Sequence, residues 1–511
     1  MSNISLFFLP AISGILLALS FPKPDMSVLA WVALVPLLYS IREKTPRQSF
    51  KEGFAAGIVF YTVSLKWVII VMRQYGGLGL IPSFFLLIAL SAYLALYVGA
   101  FAWLYANARR HAGQASIFLA PAFQAALELL RNYALSGFPW NLLGYSQHNN
   151  LPLIQIADIT GVYGVSASIV MINAAIVELI AVISRREYAD YRKYILPFFA
   201  MTVLAACVIY GNYRLANLPR PYGSMKITLV QGDIDQFHKW DPAFQDKVFD
   251  IYKNLTAQAA AQKNRPDLII WPETATPFCF QDGNMEAQLK GAVRKADTWL
   301  LTGSPSIEEK NGDDVEYNSA YLLAPSGLEA GRYDKTHLVP FGEYVPLKSI
   351  LPFVNKMVHG IGDFGTGTKY TVLRTNKASF GTAICFEVIF PELVRQFALN
   401  GANFLASITN DAWFGNSGAP YQHFNMAVFR AVENRRAMVR AANTGISGII
   451  LPSGKVLART EIFKRGEITG NIPLMDKMTF YTRYGDVFAL LCSGITAVFV
   501  GIILSRRFLK I

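Results

Sequence analysis

Three short apolar runs in the second half of the chain end in residues able to do chemistry. Glu273 follows 267–271 (DLIIW), Cys385 follows the run GTAI, and Asn410-Asp411 follow 404–409 (FLASIT). A fourth polar cluster, Asp334-Lys335-Thr336-His337, is followed by Pro340-Phe341-Gly342-Glu343. Polar residues just beyond buried strands often share one edge of a sheet. A thiol there, with one carboxylate and one ammonium, suits acyl transfer. The carboxylate can take the thiol proton, while the ammonium favours the thiolate and stabilises an oxyanion on an attacked carbonyl. Taken singly, each residue also has a plainer reading. A free cysteine packs like a small hydrophobe, and a lone Glu or Lys is usually a surface charge.

The elements that must position these groups follow from local pattern. The stretch 379–392 (SFGTAICFEVIFPE) predicts a buried strand ending at Cys385, a sharp turn, and a helix near Pro391, a good first helical residue. Strands are expected at 225–231, 267–271, 298–303, 317–324 and 404–409, with helices at about 242–262 and 421–441. Residues 445–451 and 455–459 predict a hairpin around Pro452-Ser453-Gly454. Strands alternating with helices and then hairpins indicate an α/β or α+β sheet covered by helices, over about 218–482.

The remainder is of another kind. The chain of 511 residues is 53% hydrophobic and only 16% charged, and its apolar residues crowd into 1–214 and 487–504. Stretches long enough to approach a bilayer span are 5–21, 27–41, 53–72, 80–107, 116–131, 160–184, 194–212 and 486–504, about eight in all. This predicts a membrane domain of seven transmembrane helices (1–217), an extracytoplasmic domain (218–482), and a C-terminal transmembrane helix with a cytoplasmic tail (483–511). Loops 42–51, 108–115 and 185–193 and the tail 505–511 are alternate connections and hold thirteen Lys and Arg. Against Glu43, Glu187 and Asp190, these carry +10 of the net +12. The positive-inside rule then places both termini in the cytoplasm and the large domain outside. The basic balance is thus a topology signal, and no nucleic-acid partner is expected. Lys66, Gln124, Glu128 and Glu178 fall within apolar spans, either as functional groups or as pairs between helices. The loop 132–159 carries Phe138, Trp140 and Tyr145, suited to the headgroup interface or to lipid binding.

Four cysteines without a CxxC, and six histidines without an HxxxH pair, predict no metal site. Neither GxxxxGK[ST] nor GxSxG occurs, and no cofactor is expected. A disulfide between Cys279 and Cys385 remains an alternative that would make Cys385 structural.

WPET at 271–274, DKTHLVPFGEYVP at 334–346 and ICFE at 384–387 resemble the three signature stretches of the nitrilase superfamily. With GFPW and GYSQ at 137–147, DAWFG at 411–415 and ENRRAMVRAANTGISG at 433–448, nearly the whole chain resembles the membrane-embedded branch, the apolipoprotein N-acyltransferases. The resemblance implies a four-layer αββα sandwich with a Glu–Lys–Cys triad. It implies a ping-pong reaction in a bacterial inner membrane; a monomer is expected, though the sequence leaves the oligomeric state open. An acyl chain passes from a phospholipid, usually phosphatidylethanolamine, to a cysteine thioester. It then moves to the α-amino group of an apolipoprotein's S-diacylglyceryl cysteine.

Carried over by position, Glu273 is the general base, Lys335 the oxyanion partner and Cys385 the nucleophile. Glu343, Glu387 and Asn318 support them. Trp240, Phe386, Trp413 and Trp140 are expected to contact substrate. Phe386 departs from the Tyr expected after the nucleophile, which removes any role for a phenol hydroxyl there. The glycine-rich stretch 359–367 is expected to be either a lid arm or a solvated loop. Two rivals stay open: a nitrilase-like amidase or amide synthase acting on a small substrate, and a transporter with an extracytoplasmic binding domain.

Overall fold

A computed structural model describes residues 7–184, 190–310, 312–345 and 364–508. The chain divides into two compact units. One comprises Met1–Ile69, Gly79–Asn217 and Tyr484–Ile511; the other comprises Ile70–Leu78 and Leu218–Arg483.

The first unit is helical, and each of the eight apolar stretches falls on helix. Among the described residues, four helical runs are long and apolar enough to cross a membrane: Leu80–Ser136, Val162–Ser184, Arg192–Ala216 and Val487–Arg506. The first holds two expected spans, Leu80–Ala112 and Ser116–Tyr133, joined by a tight turn at Gly113–Ala115. A fifth crossing results if Pro46–Ser64 and Val68–Gln74, bent by 53°, count together. The first two stretches form the shorter helices Phe8–Leu19 and Ser27–Ile41. Three of the four polar groups expected within these spans have partners among the described residues. Arg109 pairs with Glu178 at 2.6 Å. Gln124 donates to Glu128 Oε1, which also accepts from the Leu143 amide (3.0 and 2.9 Å). Lys66 is exposed. Trp140 is buried here, its ring near those of Phe138 and Trp67 at 6.0 and 5.0 Å.

The second unit is built on two six-stranded sheets. The first contains β1 (Gly223–Gln231), β2 (Leu268–Ile270), β3 (Trp299–Lys310), β4 (Asp313–Leu323), β5 (Glu329–Asp334) and β12 (Gly466–Leu474), in the order β12-β1-β2-β3-β4-β5. The second contains β6 (Val372–Arg374), β7 (Ser379–Ile384), β8 (Phe404–Thr409), β9 (Ala437–Ala442), β10 (Gly448–Ile450) and β11 (Val456–Arg459), in the order β11-β10-β9-β8-β7-β6. Strands β1, β2 and β3 are parallel, as are β7, β8 and β9. Such strands are covered on both faces, so they are apolar runs without alternation; all six residues of β8 are buried.

Helices Gln245–Ala260 and Gly283–Ala296 cover the first sheet, and Pro391–Leu399 and Ala419–Asn434 the second. The sheets pack on each other through β1 and β9 and through β4 and β7, giving the four αββα layers. Trp271 anchors one outer layer. Its ring stacks on Tyr252 at 5.1 Å and its indole N–H donates to Thr256 Oγ1 at 2.8 Å, so the one polar atom of a wholly buried side chain is satisfied.

One expectation fails. The helix expected over 421–441 stops at Asn434, and Ala437–Ala442 is strand β9. No glycine or proline marks the stop. Arg435 itself takes the left-handed capping conformation (φ 49°). The buried Arg436 guanidinium then donates to the carbonyls of Ala402, Lys477 and Asp476 at 2.6 to 3.1 Å. Strands β5, β6 and β12 have no counterpart among the expected elements.

Candidate active site

Cys385 begins a tight turn, Cys385–Ile389, immediately after β7. Its φ is +51°, a left-handed conformation that costs a non-glycine residue energy and persists only where surroundings enforce it. The enforcing group is Glu387. Its Oε2 accepts from the Ile384 amide at 2.7 Å. Its Oε1 accepts from Tyr333 Oη, Thr336 N, Thr336 Oγ1 and His337 N at 2.7, 2.7, 3.0 and 3.1 Å. One buried carboxylate therefore ties the cysteine turn to the segment on both sides of Lys335.

Glu273 ends the run after β2. Gly303 on β3 makes room for it: a Cβ there would fall 2.5 Å from the Thr274 nitrogen and 2.7 Å from Glu273 Cα. Glu273 Oε2 accepts from the Asn410 amide and Oε1 from Asn318 Nδ2, both at 2.8 Å. Lys335 Nζ lies 3.6 Å from Glu273 Oε1 and 2.7 Å from Glu343 Oε1. Asn318 Nδ2 bridges the two carboxylates, donating also to Glu343 Oε1 at 3.0 Å. Glu343 Oε2 accepts from the Val339 amide at 2.8 Å. Asn318 Oδ1 is buried and has no hydrogen-bond partner among the described residues.

The electrostatics give the groups different tasks. Burial opposes the Lys335 ammonium, but Glu343, then Glu273, hold its pKa well above that of an ordinary lysine, so it stays charged. Burial, reinforced by the Glu273 charge, pushes the Cys385 thiol up, while Lys335 pulls it down. The resting thiol is therefore protonated, and reaction needs a base at the moment of attack.

The supporting residues expected from sequence, Glu343, Glu387 and Asn318, all lie in this cluster. The Phe386 ring is buried against Phe390 and His337 at 5.2 and 6.0 Å. Trp240 is half exposed, at 49%. Trp413 packs edge-on against Tyr75 at 4.7 Å. Trp140 belongs to the other unit and takes no part in this cluster. Residues 359–363 of the expected lid arm lie outside the described residues; Gly365 and Gly367 donate to the carbonyls of Glu316 and Lys335. Cys279 and Cys385 are both free thiols.

Pattern reading missed Lys239, His423 and Arg440. Lys239 is 2% exposed. Its ammonium donates to the Glu273 carbonyl at 3.2 Å and to Thr274 Oγ1. His423 Nε2 lies 3.1 Å from the Cys385 carbonyl oxygen. Its Nδ1 lies 3.0 Å from Asp411 Oδ1 and 2.8 Å from an Arg440 nitrogen. No group of acidic, His or Cys side chains among the described residues has the arrangement of a metal site.

Comparison with known proteins gives this arrangement a family. Residues 13–175 match the model of the apolipoprotein N-acyltransferase N-terminal domain, and 226–477 match that of carbon-nitrogen hydrolases. An apolipoprotein N-acyltransferase of Geobacter metallireducens is 45% identical over 503 residues, covering 98% of this chain and 96% of the relative. That of Chlorobaculum tepidum is 31% identical over 524 residues, covering 96% and 95%. Among solved structures, an amidase from Nesterenkonia sp. is 20% identical, with a TM-score of 0.37 over 54% of this chain and 95% of that one. The chain is a membrane protein, and it belongs to the apolipoprotein N-acyltransferase family of enzymes, with a carbon-nitrogen hydrolase domain as its second part.

Proposed function

We propose that the protein transfers an acyl chain from a phospholipid, such as phosphatidylethanolamine, to the α-amino group of a diacylated apolipoprotein cysteine. The reaction runs through a Cys385 thioester at the outer face of a bacterial inner membrane, with both termini cytoplasmic. The observation that carries this reading is a buried cysteine on a left-handed turn at the site where Glu273 and Lys335 meet at 3.6 Å.

In the first step Glu273 takes the Cys385 proton as sulfur attacks the ester carbonyl. The oxyanion forms against the Lys335 ammonium and the Phe386 amide. Collapse breaks the ester C–O bond, and the leaving lysophospholipid oxygen takes the proton back from Glu273. In the second step the apolipoprotein amine attacks the thioester carbonyl and gives a proton to Glu273. Cys385 leaves as thiolate and is reprotonated. A thioester can acylate an amine without ATP, so no cofactor enters. Asn318 and Glu343 fix the spacing of Glu273 and Lys335. Trp240, Trp413 and Phe386 supply apolar surface for the lipid substrates. An enzyme held in the membrane meets two lipid-anchored substrates by diffusion in two dimensions.

The test is incubation of the purified full chain with phosphatidylethanolamine vesicles, followed by mass spectrometry. An acyl increment on Cys385, removed by neutral hydroxylamine and absent in Cys385→Ala, is expected. An increment that persists in Cys385→Ala refutes the nucleophile. Transfer to a diacylated lipopeptide separates this reading from a small-amide hydrolase, which would release ammonia and leave the lipopeptide unchanged.

A further inference from the structure

The short helix Gln236–Lys239 presents opposite characters on its two sides. Asp235 caps it, accepting from Phe237 N at 2.9 Å. Phe237 and the following Trp240 are exposed, at 66% and 49%. Lys239 turns inward and is buried. Among the described residues no carboxylate comes within ion-pair distance of its ammonium. Its hydrogen-bond partners are the carbonyl of Glu273 and the hydroxyl of Thr274, and it also lies 5.8 Å from the centroid of the Trp240 ring. Thr274 is itself unusual, a β-branched residue at φ +44°, where such side chains are true outliers. Lys239 therefore clamps a strained turn, and the residue in that turn is the carboxylate proposed as the base.

A buried ammonium without a paired anion is costly. Burial lowers the Lys239 pKa from 10.5 to about 8, and the titratable groups facing it, Glu273 and then Cys385, resist the fall. The charge inventory gives a reason for this burial. Glu273 and Glu343 are two carboxylates, and Lys335 is one ammonium. Lys239 offsets one of these negative charges. Without it Glu273, Glu343 and the buried Glu387 are left with Lys335 alone, and the excess of negative charge beside the sulfur that must become an anion is larger.

We propose that Lys239 is a second positioning lysine of this site, holding the Glu273–Thr274 turn in register and supplying the positive charge that lets Cys385 ionise beside two carboxylates. The proposal rests on Glu273 acting as base toward Cys385. No bond to Lys239 forms or breaks; it keeps its proton throughout.

The experiment measures Cys385 thioester formation on phosphatidylethanolamine vesicles from pH 6 to 10, using the full chain in detergent. The wild type is expected to slow as pH rises through about 8. Lys239→Met should be slower on the order of a hundredfold at pH 7 and should lose the alkaline decline. Lys239→Arg keeps a permanent charge; it should recover most of the rate and hold it to higher pH. Thr274→Val keeps the shape and the lysine but removes the hydroxyl. It should slow the reaction several-fold while the alkaline decline stays in place, and it carries the test if Lys239→Met does not fold. A wild-type rate in Lys239→Met, or an alkaline decline unmoved in Lys239→Arg, overturns the proposal. Thioester formation at full rate in Glu273→Gln overturns instead the assignment of the base on which it rests.

Discussion

His423 donates its Nε2 hydrogen to the carbonyl oxygen of Cys385 across 3.1 Å. A carbonyl oxygen only accepts, so Nε2 carries a proton. Nδ1 faces both the Asp411 carboxylate at 3.0 Å and an Arg440 guanidinium nitrogen at 2.8 Å. Burial, then the Arg440 charge, lowers the His423 pKa and keeps the ring neutral. The imidazole holds the carbonyl of the residue at φ +51°, while Glu387 holds the amide of the residue before it.

Removing that grip should slow acylation. His423→Leu leaves the buried Cys385 carbonyl unpaired, a loss of about 1–3 kcal/mol, and releases the turn. Thioester formation should fall on the order of tenfold or more, while Lys335 and Glu273 stay in place. Gln places a donor near the position of Nε2, so His423→Gln should recover much of the rate. Equal rates in the two variants would show that the hydrogen bond does not matter.

Glu273→Gln should move two measurements in opposite directions. The Glu273 charge raises the Cys385 pKa, second only to burial. Without that charge the thiolate forms at lower pH, so alkylation by iodoacetamide should begin at lower pH than in the wild type. Thioester formation from phospholipid should nevertheless stop, because no base remains to take the proton during attack. If alkylation and acylation fall together, Glu273 is holding the fold of the site and not moving a proton.

Asp411 should make the catalytic domain acid-sensitive. Burial is the largest influence and works against its charge, but Arg440, bonded to both carboxylate oxygens at 3.1 and 2.9 Å, and the adjacent His423 together outweigh it and lower the pKa from 3.8 to about 2. A carboxyl whose folded pKa is depressed stabilises the fold above its unfolded pKa and loses that contribution as pH falls toward the folded value. Stability from this group, about 2 kcal/mol, should therefore disappear between about pH 5 and pH 2. Thermal melting of the full chain in detergent checks it. Asp411→Asn should be less stable at pH 7 and should show a shallower loss toward acid. An unchanged acid slope would assign the sensitivity to other carboxylates.

Glu273, Cys385 and Asp411 were legible because each ends a run of buried parallel strand, and such runs stand out as unbroken apolar letters. Lys335 was visible as one of several charges in a short polar cluster. Lys239 gave no comparable signal. It sits among Gln236, His238 and Asp241, and its local pattern is that of a solvated turn; only the packing of that turn on WPET buries it. His423 and Arg440 lie inside stretches with helical spacing, and reading one helix through to 441 hid the fact that Arg440 is on a strand. The stop at Arg435 depends on arginine side chains finding carbonyls remote in sequence, which no local rule sees. The hairpin at β10 and β11, set by Pro452-Ser453-Gly454, was by contrast fully local.

Tyr75 connects a part of the chain far from the catalytic residues in sequence to the loop that holds the base. The segment Ile70–Leu78 belongs to the second unit. There the Tyr75 hydroxyl donates to the Ala412 carbonyl at 3.0 Å, and its ring packs against Trp413 and Phe237 at 4.7 and 5.5 Å. Ala412 lies two residues after Asn410, whose amide holds Glu273 Oε2 and whose side chain donates to Gln236 at 2.6 Å. The Tyr75 hydroxyl therefore fixes the loop that orients the base. Tyr75→Phe removes one hydrogen bond, worth about 1 kcal/mol, and should slow thioester formation a few-fold while lowering the melting temperature by no more than a few degrees. Tyr75→Ala also loses both ring contacts, each about 0.5–1.5 kcal/mol, and should cost more than tenfold. Because Lys239 adjoins the same short helix as Phe237, combining Tyr75→Ala with Lys239→Met should cost less than the product of the two separate effects. A strictly multiplicative loss would mean that the two sides of Glu273 are held independently.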